Sequence, residues 1–269
     1  MLTIDLTLKE TVLTEGHTSK GNQPKWLLDG YWYKADHMGC EALAEVLVSR
    51  LLAHSGIQNH VSYEPVLIRN GDKICAGCKS RNFRKRDEML VPIERLYRAY
   101  CGQSLARKLA GIPSVEEQIR FTVEFVEDTT QLTGFGSYLS TLLELDAFIL
   151  NEDRHTNNIA VIRNETNGQY RLCPVFDNGL SFLSDLNDYP LENDLYQNIA
   201  KVEAKPFSRD FVLQMEAVVN LYGSSLHFDI AHRDLDGLFD GMTEYYPGEV
   251  IGRTRSVLLE QMRKFRHLF

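Results

Sequence analysis

The chain has 269 residues, 43% hydrophobic and 25% charged, enough apolar material for a sizeable buried core in one large domain or two small lobes. Its net charge of −8 argues against a broad footprint on nucleic-acid backbone, and no direct nucleic-acid binding is expected. The N-terminus lacks the basic start and apolar stretch of a signal peptide, and no run approaches the ~18 uncharged residues of a membrane span, so a cytoplasmic protein without membrane contact is expected.

In chain order, Asp29-Gly30 between Trp26–Leu28 and Tyr31–Lys34 signals a β-hairpin. Glu41–Ala53 predicts a helix, with Leu43, Leu47 and Leu51 recurring at i+4. Val61–Arg69 and Asp72–Lys79 predict a second hairpin, turned by Asn70-Gly71. Five cysteines, an odd number, suit a reducing compartment, and Cys75 and Cys78 read as structural because no second ligand pair follows at zinc-site spacing. The basic run Arg81–Arg86 reads as a solvated face.

Beyond Pro92 the pattern turns helical. It predicts a helix over Ile93–Leu109, another capped by Ser114 with Glu117 completing the capping box, and a third over Ser137–Leu150. Two short strands, Ile159–Arg163 and Tyr170–Pro174, flank Asn167-Gly168, and helices follow to the end. The expected fold is α+β and two-lobed: a small β-rich N-lobe over residues 1–88 and a larger helical C-lobe over 89–269.

The densest functional signal is Asn151-Glu152-Asp153-Arg154-His155-Thr156-Asn157-Asn158, a polar cluster that closes an apolar helix and precedes a strand. After the hairpin the chain returns with Val175-Phe176-Asp177-Asn178-Gly179. Phosphoryl transfer needs a carboxylate to orient the attacking hydroxyl and accept its proton, plus hard oxygen ligands for Mg²⁺ on the phosphates. Asp153, Asn158 and Asp177 supply those groups, and Asn158 follows Asp153 at the spacing of His-Arg-Asp-x₄-Asn in protein kinases. Asp177-Asn178-Gly179 stands where kinases carry Asp-Phe-Gly, with a polar middle residue. Upstream, Lys34 can pair nucleotide phosphates if a helical glutamate holds it, with Glu45 and Glu41 competing for that place. The stretch Gly16–Lys25 can cradle phosphates through backbone N–H groups, although it is not a Walker A loop.

At these residues the chain resembles the HipA-like serine/threonine kinases, most closely in Leu145–Asn158 and Pro174–Gly179, and more weakly in Thr18–Lys25, Tyr33-Lys34 and Glu41–Gly56. The resemblance implies Asp153 as the catalytic Asp, Asn158 and Asp177 as Mg²⁺ ligands, and Lys34 as the ATP lysine. It also implies Thr18, Ser19, Lys20, Gly21, Asn22 and Gln23 as the phosphate loop, where Thr18 or Ser19 would be autophosphorylated. Glu45 and His155 join the nucleotide-binding set, and the adenine is expected near Arg81, Asn82 and Phe83. The cofactors implied are ATP and Mg²⁺. HipA toxins carry an additional N-terminal subdomain, whereas here the phosphate loop begins almost at the start; this argues against an antitoxin-like, DNA-binding partner. The protein substrate stays open. The competing readings are a small-molecule or phosphoinositide-type lipid kinase, whose Asp-Arg-His…Asn arrangement Asp153–Asn158 resembles, and a nucleotide-binding regulator without transfer activity.

Overall fold

The computed structural model describes residues 2–12 and 23–269. Two compact units emerge, both discontinuous in sequence. The first comprises residues 1–82, 176–202 and 227–269, and the second comprises 83–175 and 203–226.

The first unit is built on a five-stranded sheet in the order β1-β4-β5-β3-β2, with β1 at Thr3–Asp5, β2 at Lys25–Leu28, β3 at Tyr31–Ala35, β4 at Tyr63–Asn70 and β5 at Lys73–Arg81. The pair β1/β4 is parallel and the others are antiparallel. Asp29 (φ 50°) and Gly30 (φ 79°) turn the β2–β3 hairpin in left-handed backbone, as the two central residues of a tight hairpin require. The β4–β5 hairpin differs from the expectation by one position. Asn70 pairs with Lys73, so Gly71 and Asp72 form the turn, and Gly71 supplies the positive φ of 63°. One sheet face packs on a cluster of Leu6, Trp26, Tyr33, Ala35, Val66 and Ile68.

Helix α1 (Glu41–Ala53) packs on β3, β4 and β5 and is buried almost all round, Glu41 and Glu45 included. A helix with no wet face belongs inside a protein, so its two glutamates need internal partners. Where β5 runs between β4 and β3, Gly77 leaves no room for a side chain. A Cβ there would meet Ile68 Cδ1 at 2.5 Å and the Lys34 carbonyl at 2.6 Å. The unit is completed by α6 (Leu195–Ile199), α8 (Gly248–Lys264) and short 3₁₀ turns.

The second unit has an antiparallel three-stranded sheet, β6 (Glu88–Pro92), β7 (Ala160–Asn164) and β8 (Tyr170–Leu172), in the order β6-β7-β8. The helix expected over Ile93–Leu109 is two helices, α2 (Ile93–Cys101) and α3 (Leu105–Ala110). Gly102 adopts left-handed backbone (φ 69°) and ends α2, and the Ser104 side chain accepts the Arg107 N–H to start α3. These are the ordinary stop and start signals of helices, and an apolar periodicity that continues through the break conceals them. Helix α4 (Val115–Thr130) is capped by Ser114, which accepts from the Glu117 N–H. Helix α5 (Phe135–Ile149) is almost wholly buried and packs with α4 and α7 (Phe211–Tyr222). No helix among the described residues is long and apolar enough to cross a membrane.

Gly77→Ala will destabilise the protein by roughly 1–3 kcal/mol, the usual cost of overpacking, because backbone of β3 cannot yield without moving Lys34. Urea denaturation of the two proteins measures it, and an unchanged midpoint would refute the close approach.

Candidate functional site

The expected residues fall into two constellations, one in each unit. In the first unit, Lys34 lies on β3 and is only 7% exposed. A lysine at the end of a strand is ordinarily solvated; this one is core. Its Nζ donates to Glu45 Oε1 of α1 and to Asp177 Oδ1 at 2.7 Å. Burial works to lower the Lys34 pKa, but the Asp177 and Glu45 carboxylates outweigh it and hold the ammonium well above the ordinary lysine value. Glu45, fully buried, accepts the Asn178 N–H at 3.0 Å through its other oxygen. It therefore ties the lysine to the backbone that presents Asp177. Lys25 Nζ, at the start of β2, stands 3.5 Å from the same Asp177 oxygen.

The choice between the two glutamates of α1 follows from geometry. Glu41 accepts the backbone N–H groups of Met38 (2.8 Å) and Gly39 (3.0 Å) and so closes the turn before its own helix. One helical turn later, on the same face, Glu45 takes Lys34. Asp177 itself adopts left-handed backbone at φ 58°. For a non-glycine residue that conformation costs about 1–2 kcal/mol, and such strain persists where surrounding contacts over-determine it. The two lysines and the Glu45–Asn178 hydrogen bond supply those contacts.

In the second unit, α5 ends at Leu150 in left-handed backbone (φ 57°), and the loop Asn151–Ile159 turns back into β7. Its shape is set from beneath by Asp146 on α5 and Arg154 in the loop, both fully buried. Arg154 donates Nε to Asp146 Oδ2 at 2.9 Å and Nη2 to Oδ1 at 3.0 Å, and its Nη1 reaches the Asn158 carbonyl at 3.2 Å. Asn151 Nδ2 donates to Asp146 Oδ1 at 2.8 Å. Burial raises the Asp146 pKa, and Arg154 opposes that shift.

Held in this way, the loop joins Asp153 to Asn158. Asn158 Nδ2 donates to the Asp153 carbonyl at 2.8 Å and to Oδ2 at 3.1 Å. Two basic groups flank the other carboxylate oxygen, His155 Nε2 at 3.7 Å and Lys205 Nζ at 3.8 Å. The Asn157 N–H donates to His155 Nδ1 at 3.2 Å, so a neutral His155 carries its proton on Nε2, the nitrogen that faces Asp153. From the other side, Glu94 of α2 accepts Thr156 Oγ1 and the Ala106 N–H, each at 3.0 Å. Burial would raise the Glu94 pKa, but hydrogen bonds from Ala106, Ser104, Thr156 and Arg98 outweigh it and hold the carboxyl below its ordinary value.

No protein-family model and no curated protein matches the sequence. Among solved structures, the crystal structure of the Helicobacter pylori proinflammatory kinase CtkA matches with a TM-score of 0.66 over 99% of this chain and 96% of that one, at 15% identity. The fold is that of a two-lobed kinase. With it go the mixed α+β architecture, the curled five-stranded sheet and the helical remainder.

Within the kinase-like fold, the remaining expected residues are placed as follows. Arg81 ends β5, Asn82 Oδ1 accepts the Trp32 indole N–H at 3.4 Å, and the Phe83 carbonyl accepts Arg171 Nη2 at 3.2 Å. Gln23 is half-buried, while Thr18, Ser19, Lys20, Gly21 and Asn22 lie outside the described residues. Among the described residues no group of three or more His, Cys, Asp or Glu side chains could hold a metal by themselves. Cys75 and Cys78 lie on β5, and burial raises both thiols. Three participants carry no motif of their own: Glu94, Asp146 and Lys205. Asp146 sits at an interior position of α5 where a charge interrupts an apolar face, a signal that could have found it, whereas Glu94 lies in the first turn of α2, where an acidic residue is ordinary. Lys205 is a solvent-side lysine in sequence terms and has no such signal.

Lys34→Ala takes the buried cation from Glu45 and leaves Asp177 with Lys25 alone; it will cost roughly 3–5 kcal/mol, read as a lowered melting midpoint, and a midpoint equal to wild type would contradict the burial of the Lys34–Glu45 pair. Glu94→Gln tests the second constellation through pH. Because the native pKa of Glu94 is depressed, its stabilising contribution is complete above the ordinary glutamate range and is lost as pH falls through the lower native value. The variant will be less stable at neutral pH and lose that part of the acid-side decline in denaturation profiles.

Proposed function

We propose that this chain is an ATP- and Mg²⁺-dependent phosphotransferase that acts on protein serine or threonine hydroxyls. The observation that carries the reading is the buried Lys34–Glu45–Asp177 set: a strand lysine held by a helical glutamate beside the second carboxylate of the motif, as phosphoryl transfer requires. The kinase fold and the Asp153–Asn158 loop support it independently.

In this reading Lys34 contacts the nucleotide phosphates, with Lys25 a second cation near the same carboxylate. Asp153 orients the acceptor hydroxyl and receives its proton as the oxygen forms its bond to the γ-phosphorus, and ADP leaves. The residues present fit a magnesium–phosphate group. Asp177 offers a carboxylate, and Asn158, held through its NH₂ by Asp153, presents its carbonyl oxygen as the remaining donor. Bound Mg²⁺ would neutralise charge on the phosphates, with Asp177 and Asn158 as its protein ligands. Few protein ligands are the norm for this ion, which keeps waters and takes phosphate oxygens. A nucleotide-binding regulator would have no use for Asp153 in its present setting, held by Asn158 and flanked by His155 and Lys205.

Incubation with labelled ATP and lysate proteins, beside lipid vesicles and small alcohols, will show transfer to protein. Asp153→Asn will lower that transfer by ~10²–10⁴-fold, the usual contribution of a positioned base, with nucleotide binding retained in calorimetry. A variant with near-normal turnover would overturn the assignment. Intact-mass measurement after ATP incubation tests self-modification, proposed at Thr18 or Ser19. Added phosphate is expected on wild type and not on Asp153→Asn; none on either, or equal amounts on both, would refute it.

A further inference from the structure

Beside Asp153, and wholly within the second unit, lies a cleft of about 400 Å³. Its floor is apolar, with Leu109 of α3 and Phe207 both buried. Its rim carries His155, Lys205 and Arg209, and no carboxylate appears among the lining residues. Asp153 and Glu203 stand 3.8 and 3.5 Å from Lys205 and Arg209 but lie outside the lining, so in a chain of net charge −8 the cleft wall itself presents basic groups to a ligand, which favours anions.

The cleft is continuous with the reacting centre because His155 and Lys205 belong to both. Each lines the cleft, and each places a nitrogen 3.7–3.8 Å from Asp153 Oδ1. Lys205 is also held in place. Its carbonyl accepts Gln214 Nε2 of α7 at 3.1 Å, and the Ala204 N–H to Arg209 carbonyl bond at 2.9 Å closes the segment that carries both cations. The far wall is fixed as well: Glu94 binds α3 at Ala106 and the catalytic loop at Thr156. Among the described residues the Arg209 guanidinium pairs with the exposed Glu203 at 3.5 Å, an interaction of little strength in water, so its charge is available to a ligand.

We propose that this cleft is the acceptor-docking site and that it takes a peptide segment bearing acidic residues next to the phosphorylated hydroxyl. This rests on the protein-kinase reading above and adds the substrate class to it. Lys205 and Arg209 meet the acidic side chains, Phe207 and Leu109 take an apolar neighbour, and the hydroxyl is delivered to Asp153. Lys205 thus links peptide recognition to the reacting centre.

The test uses the full chain and three hydroxyl peptides that differ only in acidic, neutral or basic residues flanking one serine. Binding is read by fluorescence anisotropy and transfer by kcat and KM. The acidic peptide is expected to bind and react about tenfold better than the basic one, through KM, as suits two partly exposed ion pairs acting together, with the advantage shrinking at high salt. Arg209→Glu, at a largely exposed position, is expected to reverse the preference toward the basic peptide. Equal affinities for the three peptides, or a preference that survives Arg209→Glu, would overturn the docking site even if transfer proceeds. Failure of the kinase reading looks different: no phosphate reaches any acceptor, while the anisotropy arm still decides whether the cleft holds acidic peptide.

Discussion

The ammonium of Lys34 is a full charge in the protein interior, and much of the first unit is arranged to keep it there. An isolated buried charge costs several kcal/mol even after relaxation. The structure therefore brings two carboxylates to it, one from α1 and one from a loop far along the chain. The dependence runs in both directions. Without Lys34, Glu45 would be a buried anion on a helix that has no wet face, and Asp177 would lose a partner that holds it in left-handed backbone. Gly77 belongs to the same arrangement, because only a residue without a side chain lets β5 lie against the β3 backbone at Lys34.

The second unit solves a similar problem with a different pair. Arg154 and Asp146 are both fully buried, and the forked guanidinium satisfies two carboxylate oxygens and a main-chain carbonyl at once. Such a pair contributes little net stability over an apolar alternative, but removing one partner is costly. What it supplies is geometry: an arginine in the loop, bound to a fixed point on α5, determines where Asp153 and Asn158 lie. Glu94 fixes the neighbouring Thr156 from α2.

Local chemistry made part of this legible. The Asp29-Gly30 turn, the helix at Glu41–Ala53, the cap at Ser114 and the β7–β8 pair follow from short-range signals, and the kinase-like fold follows from the spacing of Asp153, Asn158 and Asp177. The signals fail where a long-range partner decides. Lys34 reads as a solvated strand end because its burial depends on Asp177, 143 residues away. Helices α2 and α3 read as one because the apolar stripe persists across Gly102. Residues 176–202 and 227–269 belong to the first unit with residues 1–82, a long-range association that short-range patterns do not carry.

The contacts of basic groups with the two carboxylates differ, and the difference suits the roles proposed for each. Asp177 accepts a hydrogen bond of 2.7 Å from Lys34, a charge-assisted contact that fixes its position. The basic groups beside Asp153, His155 and Lys205, stand at 3.7 and 3.8 Å, beyond hydrogen-bond reach. At that separation they act through charge without occupying an oxygen. In the proposed reaction, a carboxylate that receives a proton from a hydroxyl would need that oxygen unsaturated by a lysine, and it would gain from nearby positive charge that attracts the nucleotide phosphates. The spacing around Asp153 meets both demands, and Lys205, supplied from a distant segment and anchored through its backbone by Gln214, is the residue that sets it.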